Sequence, residues 1–172
     1  MNTILDYSFF HRDRLIVAKE LAGKLIVRKF ENGETIKVRI AETEAYGGEE
    51  DKACHASKGR TPRTELLYGK AGMIYVYLCY GMHWLMNIIT GEEGHPEGVL
   101  LRAGEGKLNG PAKLTKAIGV DKRFNGQPVF GNEEIWIEDD GREFEIASAP
   151  RVGIDYAGEE WKNKPWRFII RQ

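Results

Sequence analysis

A chain of 172 residues, 42% hydrophobic and 30% charged, is long enough to bury a real core as one globular domain, and a net charge of -1 does not by itself call for a nucleic-acid partner. The two cysteines, Cys54 and Cys79, are far apart and outside any metal-type spacing, which argues against a disulfide framework. Asp6, His11, Arg12 and Asp13 stand where a signal peptide needs an apolar core, and no apolar run approaches membrane-spanning length, so a reduced, intracellular protein without a membrane partner is expected.

In chain order, residues 9–22 place Leu15, Ala18 and Ala22 at helical spacing, with Gly23 as a C-terminal stop. KLIVRKF then reads as a strand, and the Asn32-Gly33 pair as a hairpin turn, because Asn-Gly tolerates positive φ. The return strand alternates Ile36, Val38 and Ile40 against Lys37, Arg39 and Ala41, one face buried and the other wet. It delivers Glu42, Glu44 and Tyr46 to a single face by the twofold repeat of extended chain, ahead of a Gly47-Gly48 turn and His55. A carboxylate beside an aromatic ring at a strand end suits general-base chemistry on a flat substrate, and a solvated strand end is the plain alternative. A metal site from Glu42, Glu44 and His55 is a weaker reading, because the four histidines do not fall at ligand spacing.

The next connection is basic, through His55, Lys58, Arg60 and Arg63, with Thr61 and Pro62 as a helix start and Gly69 as its end. Met73 to Thr90 reads as an aromatic hairpin: Tyr75 and Tyr77 share one face, and Tyr80-Gly81-Met82 forms the turn. Such a tip resembles the apolar wedges that proteins push between base steps, although most aromatic stripes are sheet core. VLLR is a short strand ending in Arg102. In NGPAKLTKAIG, Asn109 or Gly110 caps a helix that Pro111 opens and Gly119 closes. Its first-turn N–H groups, with Lys113 and Lys116, form a credible phosphate site, and an ordinary surface helix fits as well. Lys107 to Arg123 holds five basic residues against one acid, a local footprint that the net charge hides. EEIWIEDDG, REFEIASAP and WRFIIRQ read as further strands.

The chain carries no Gly-rich phosphate loop, zinc motif or nucleophile elbow, so its residues favour metal-free chemistry by a carboxylate. At this point it resembles the alkyladenine (3-methyladenine) DNA glycosylases. The resemblance runs through ETEAYGGEEDKACH, GRTPRTELLYGKAGMIYVYLCYGMHWLMNI, VLLRA, NGPAKL, RVGI and EEWKNKPWRF, nearly the whole chain in order. It implies that Glu44 is the general base that activates water and that Arg102 helps to hold that water. Tyr46, His55 and Tyr77 would wall a pocket for a flipped base. Asn87 would stand at its edge, crowding the exocyclic amine of ordinary guanine, and Glu42 would play a supporting part. Tyr80 would fill the gap left in the duplex, and Lys113 and Lys116 would hold the DNA backbone. The loop Gly91 to Gly98 is longer than the family pattern, and the long N-terminal extension of some members is not seen.

The expected fold is α+β: a single compact domain over residues 1–172, a mixed, largely antiparallel sheet with short helices, and a protruding β-hairpin that inserts into DNA. The expected function is monofunctional excision of 3-methyladenine, 7-methylguanine, hypoxanthine or ethenoadenine from double-stranded DNA by a monomer that needs no cofactor. The alternative is a non-catalytic module that binds distorted nucleic acid. Against it stands Glu44, because a carboxylate facing a phosphate-lined groove costs affinity unless it does chemistry.

Overall fold

The computed structural model describes residues 1–171. Strand β3 (Thr35–Gly47) is the spine, and its 13 residues serve two neighbourhoods. The Asn32-Gly33 turn, with Gly33 at φ 88°, folds its first half back onto β2 (Leu25–Lys29), from Lys29↔Thr35 to Leu25↔Arg39. Its second half pairs with β6 (Glu97–Gly104), and Glu42 to Glu44 pair also with β9 (Arg167–Arg171). Beyond β6 lies the hairpin of β4 (Ile74–Cys79) and β5 (His83–Ile89), with β4 at the edge. On the other side β2 pairs with β7 (Ile135–Asp139), β7 with β1 (Thr3–Ile4), and β8 (Glu145–Ala149) with β9. All these pairings are antiparallel, and together with a few short helices they make the α+β fold that the sequence predicts.

Alternation gives the central strands two unlike faces. Met86 and Ile88 of β5, Val99 and Leu101 of β6, and Ala45 of β3 are buried in the main core. There they meet Val17 and Leu21 of α2 (Arg14–Leu21) and Leu114 and Ile118 of α3 (Pro111–Ile118). Each of the larger side chains among them contributes roughly 1.5–3 kcal/mol of burial. The intervening residues face the other way, towards segments 48–72 and 150–166, where two smaller clusters form, one around Tyr68, Tyr75 and Ile89 and one around Ala53, Ile154 and Trp161.

Three local expectations change. Residues 9–22 do not make one helix: α1 (Tyr7–Phe10) ends early, and Asp13 starts α2 by accepting the Leu15 N–H at 2.8 Å. An aspartate that can bond a nearby N–H favours a cap over a helix interior. Thr61 and Pro62 form a turn, in which the hydroxyls of Thr61 and Thr64 bond each other, and the short 3-10 helix begins only at Glu65. Arg39, placed on the wet face by alternation, is 7% exposed and makes a bidentate pair with Asp140 at 2.9 and 2.7 Å. The helix that Pro111 opens is found as expected, with Gly110 as its N-cap and Gly119 closing it at φ 64°.

Candidate active site

Register across four strands lines up the far face. Tyr75 stands opposite Asn87, Asn87 opposite Leu100, and Leu100 opposite Glu44. A second row sets Ile89 opposite Gly98 and Gly98 opposite Tyr46, and Tyr77 stands opposite Leu85. Residues directly opposite in antiparallel strands share a face, so these rows make one aromatic floor. Arg102, two residues beyond Leu100 on β6, reaches the same face by alternation. Glu42 pairs with Ala103 but Thr43 with Leu101, which makes Arg102 the extra residue of a β-bulge.

A cavity of about 380 Å³ opens over this floor. Glu44, Tyr46, His55, Tyr77, Asn87 and Arg102 all line it, and Tyr80 stands at its edge. The six pocket residues expected from the sequence are thus brought together. Glu42 does not join Glu44 and His55 there: its carboxylate takes Arg167 Nη1 at 3.3 Å, so the three proposed metal ligands do not converge.

Glu44 is 1% exposed, yet both its oxygens are occupied. The Tyr46 hydroxyl donates to Oε1 at 2.9 Å, and the Val152 N–H donates to Oε2 at 2.6 Å. Burial pushes its pKa above the ordinary glutamate value, while the Val152 N–H, the Tyr46 hydroxyl and the charges of Arg102 and Arg151 pull the other way. The result is a desolvated carboxylate held in one orientation, with guanidinium charge nearby.

His55 packs edge-on against Tyr77, with centroids 4.5 Å apart, and its Nδ1 lies 3.0 Å from the Tyr75 hydroxyl. Burial, then the charges of Arg63 and Lys58, lower its pKa to about 4, so it is neutral at physiological pH. The folded pKa lies below the ordinary value of 6.5, so the stability His55 contributes is present above 6.5 and lost as pH falls towards 4. His55→Gln is therefore expected to flatten the loss of urea stability between pH 6.5 and 4; an unchanged slope would place the acid sensitivity elsewhere.

At the hairpin tip Tyr80 is 89% exposed and adopts φ 53°, the only non-glycine residue of those described with positive φ. Gly81 follows at φ 69°, and the Met82 N–H returns to the Cys79 carbonyl at 3.1 Å, closing the turn that the sequence predicts. Bulky residues rarely accept this backbone, and with Leu78 and Met82 also exposed the tip presents an apolar point to solvent. Lys113 and Lys116 are exposed on α3, whose Pro111 borders the cavity; Lys113 Nζ donates to Asn109 Oδ1 at 2.7 Å.

Sequence reading assigned no residue to the far wall. It is built by Val152, Gly153, Ile154 and Tyr156, with Arg151 behind them. RVGI was visible as a motif, but no local pattern says that it meets a glutamate 108 residues earlier.

The chain is similar to known proteins along nearly its whole length. The family model described as methylpurine-DNA glycosylase (MPG) matches residues 8–107 and 106–172. A "Putative 3-methyladenine DNA glycosylase" of Natranaerobius thermophilus is 44% identical over 97% of this chain and 95% of its own length. Proteins of the same description from Methanocella arvoryzae and Borrelia garinii are 41% and 42% identical, over 96% and 97% of this chain and 91% and 96% of their own lengths. The chain belongs to the methylpurine-DNA glycosylase family, DNA-repair hydrolases that cleave N-glycosyl bonds.

Proposed function

We propose that this protein is a monofunctional glycosylase that flips alkylated or deaminated purines out of duplex DNA and hydrolyses their N-glycosidic bond with water activated by Glu44. The observation that carries the reading is a buried, oriented carboxylate at the floor of an aromatic cavity whose edge bears a strained, exposed tyrosine. A base within a duplex is out of reach of any side chain, so the nucleotide must be extruded, at a cost of a few kcal/mol. Tyr80 would occupy the vacated step, and stacking in the cavity on Tyr46 and Tyr77 would return about 1–3 kcal/mol.

Bond cleavage passes through an oxocarbenium-like sugar. Ionised Glu44 would take a proton from the attacking water as its oxygen joins C1′, and the purine would leave with the bonding electron pair. The same negative charge stabilises the positive sugar, and Arg102 would orient the water from the bulge. A cationic base such as 3-methyladenine or 7-methylguanine leaves without further help, whereas neutral hypoxanthine or ethenoadenine needs a proton. Asn87, 7% exposed with Nδ2 3.3 Å from the Tyr75 carbonyl, would crowd the exocyclic amine of normal guanine. Lys113 and Lys116 would hold backbone phosphates without reading sequence. No lysine lines the cavity among the described residues, which leaves no amine to open the sugar and cut the strand. One site on one chain suffices, so a monomer is the working form.

Two duplexes test this, one with a single hypoxanthine and one with a single 7-methylguanine. Strand breaks are expected only after alkali, in at least the cationic substrate. Breaks without alkali would show a lyase. Binding of both duplexes with no base released would favour a non-catalytic module.

A further inference from the structure

Behind the cavity lies a buried ion pair that the proposed chemistry does not touch. Both side chains, Arg151 and Asp51, are fully shielded from solvent. Arg151 Nη1 donates to Asp51 Oδ2 at 2.7 Å and Nη2 to Oδ1 at 3.0 Å, a bidentate fork. Nη1 also donates to the Ala45 carbonyl at 3.1 Å, on the residue between Glu44 and Tyr46. The guanidinium lies 4.7 Å from the centre of the Tyr46 ring and 4.9 Å from that of Trp166. Asp51 in turn accepts the N–H of Gly47, next to Tyr46, and of Ala53 on the cavity wall, both at 3.0 Å. The residue after Arg151 is Val152, whose N–H holds Glu44. Residue 150 is tied as well, because Arg167 donates to the Pro150 carbonyl at 2.8 Å and to Glu42 at 3.3 Å.

We propose that Arg151, locked to Asp51, is a positioning residue for base excision: it fixes the Val152 N–H and the Tyr46 hydroxyl on the two oxygens of Glu44 and keeps a permanent positive charge behind them. The inference rests on Glu44 as the base of the proposed reaction. A buried ion pair is a poor way to gain stability, since packed apolar groups of the same volume do as well or better. Its contacts instead converge on one carboxylate. The polar groups facing Glu44 are Tyr46 from β3, Arg102 from β6, and the Val152 N–H with Arg151 from the far wall; Tyr77 of β4 and Tyr156 lie further out. Only the two arginines among them are charged at neutral pH, and Arg151 alone is fixed by a fork. Burial raises the Glu44 pKa, and the Arg151 charge opposes that rise.

The test is the pH profile of single-turnover excision on a 7-methylguanine duplex. Arg151→Met alone would strand Asp51 without a partner and risk unfolding, so the pair is removed together as Arg151→Met with Asp51→Asn, beside Arg151→Lys. Rates are taken per folded molecule, from circular dichroism. The double variant is expected to lose about 10–100-fold in rate, as a misplaced catalytic group does, and its acid limb should move to higher pH. Binding to a duplex with a stable abasic analogue should stay within about threefold. Arg151→Lys keeps the charge without the fork, so its rate should fall about tenfold with the acid limb in its native place. A native acid limb in the double variant, or the same limb shift in Arg151→Lys, would overturn the proposal and leave the pair a structural role. If Glu44→Gln keeps its activity, the reading of Glu44 fails first; if Glu44→Gln is inactive and the double variant keeps its native acid limb, only the positioning role fails.

Discussion

Glu44→Gln is expected to slow base release by about 10³-fold, within the range spanned by general acid–base catalysis, and to leave binding of a damaged duplex within a few fold. Glutamine keeps the volume and an oxygen for the Val152 N–H, which Glu44 now accepts at 2.6 Å, but it takes no proton and offers no negative charge to the sugar. In the native protein the rate should fall as pH drops through a midpoint above the ordinary glutamate value, because burial raises the Glu44 pKa and only the ionised form acts. The same shift has a stability consequence of defined sign. A carboxyl whose folded pKa is raised contributes its full stability while protonated, below its unfolded pKa, and loses it as pH rises through the folded pKa. At neutral pH the ionised Glu44 is therefore a burden on the fold. Glu44→Gln should unfold at higher urea concentration than the native protein at pH 7, and the gap should close by pH 4. Single-turnover assays and urea titrations at the two pH values check both halves. Release at the native rate would remove Glu44 from the reaction; a variant less stable at pH 7 would remove the desolvation argument.

Local rules read much of this molecule from its sequence. The twofold repeat put Glu44 and Tyr46 together with Thr43 and Ala45 behind them, and the structure agrees: Thr43 bonds the Ala18 carbonyl of α2, and the Tyr46 hydroxyl reaches Glu44. Asn32-Gly33 and Tyr80-Gly81 marked turns because few residues accept positive φ, and both are turns. Missing from that reading is everything that depends on register between distant strands. The row that sets Glu44 opposite Leu100 and Leu100 opposite Asn87 exists only once the strands are paired. Arg151 and Asp51 are 100 residues apart, and nothing within either segment names the other. Arg39 shows the same limit in reverse, since alternation placed it in water and a distant aspartate drew it in. The roles proposed for Glu44, Arg102 and Asn87 came from the resemblance; periodicity supplied only the common face of Glu44 and Tyr46.

Tyr80→Asn is expected to make the protein more stable and less active at once. Tyr80 sits at φ 53° followed by Gly81 at φ 69°, and Asn-Gly is the preferred pair where both central residues of a hairpin turn have positive φ. The ring is 89% exposed, so removing it forfeits almost no packing. A non-glycine residue in this region costs roughly 1–2 kcal/mol, which asparagine partly escapes by local hydrogen bonding. A gain of about 0.5–1 kcal/mol in urea stability follows. The same change should cost excision dearly wherever the duplex must be opened. Losing a stacked ring worth about 1–3 kcal/mol lowers kcat/KM by roughly 10–100-fold for a lesion in a well-paired duplex. A lesion opposite a mismatch is already partly unstacked, so its extrusion needs less help and the loss should be several-fold smaller. The contrast between the two duplexes is the decisive quantity. Equal losses on both would mean that Tyr80 contacts DNA without filling the opened step, and no loss on either would make the exposed, strained tip an accident of the turn. A stability gain together with a selective loss on paired DNA would show that the strain at Tyr80 is kept for the opening of the duplex.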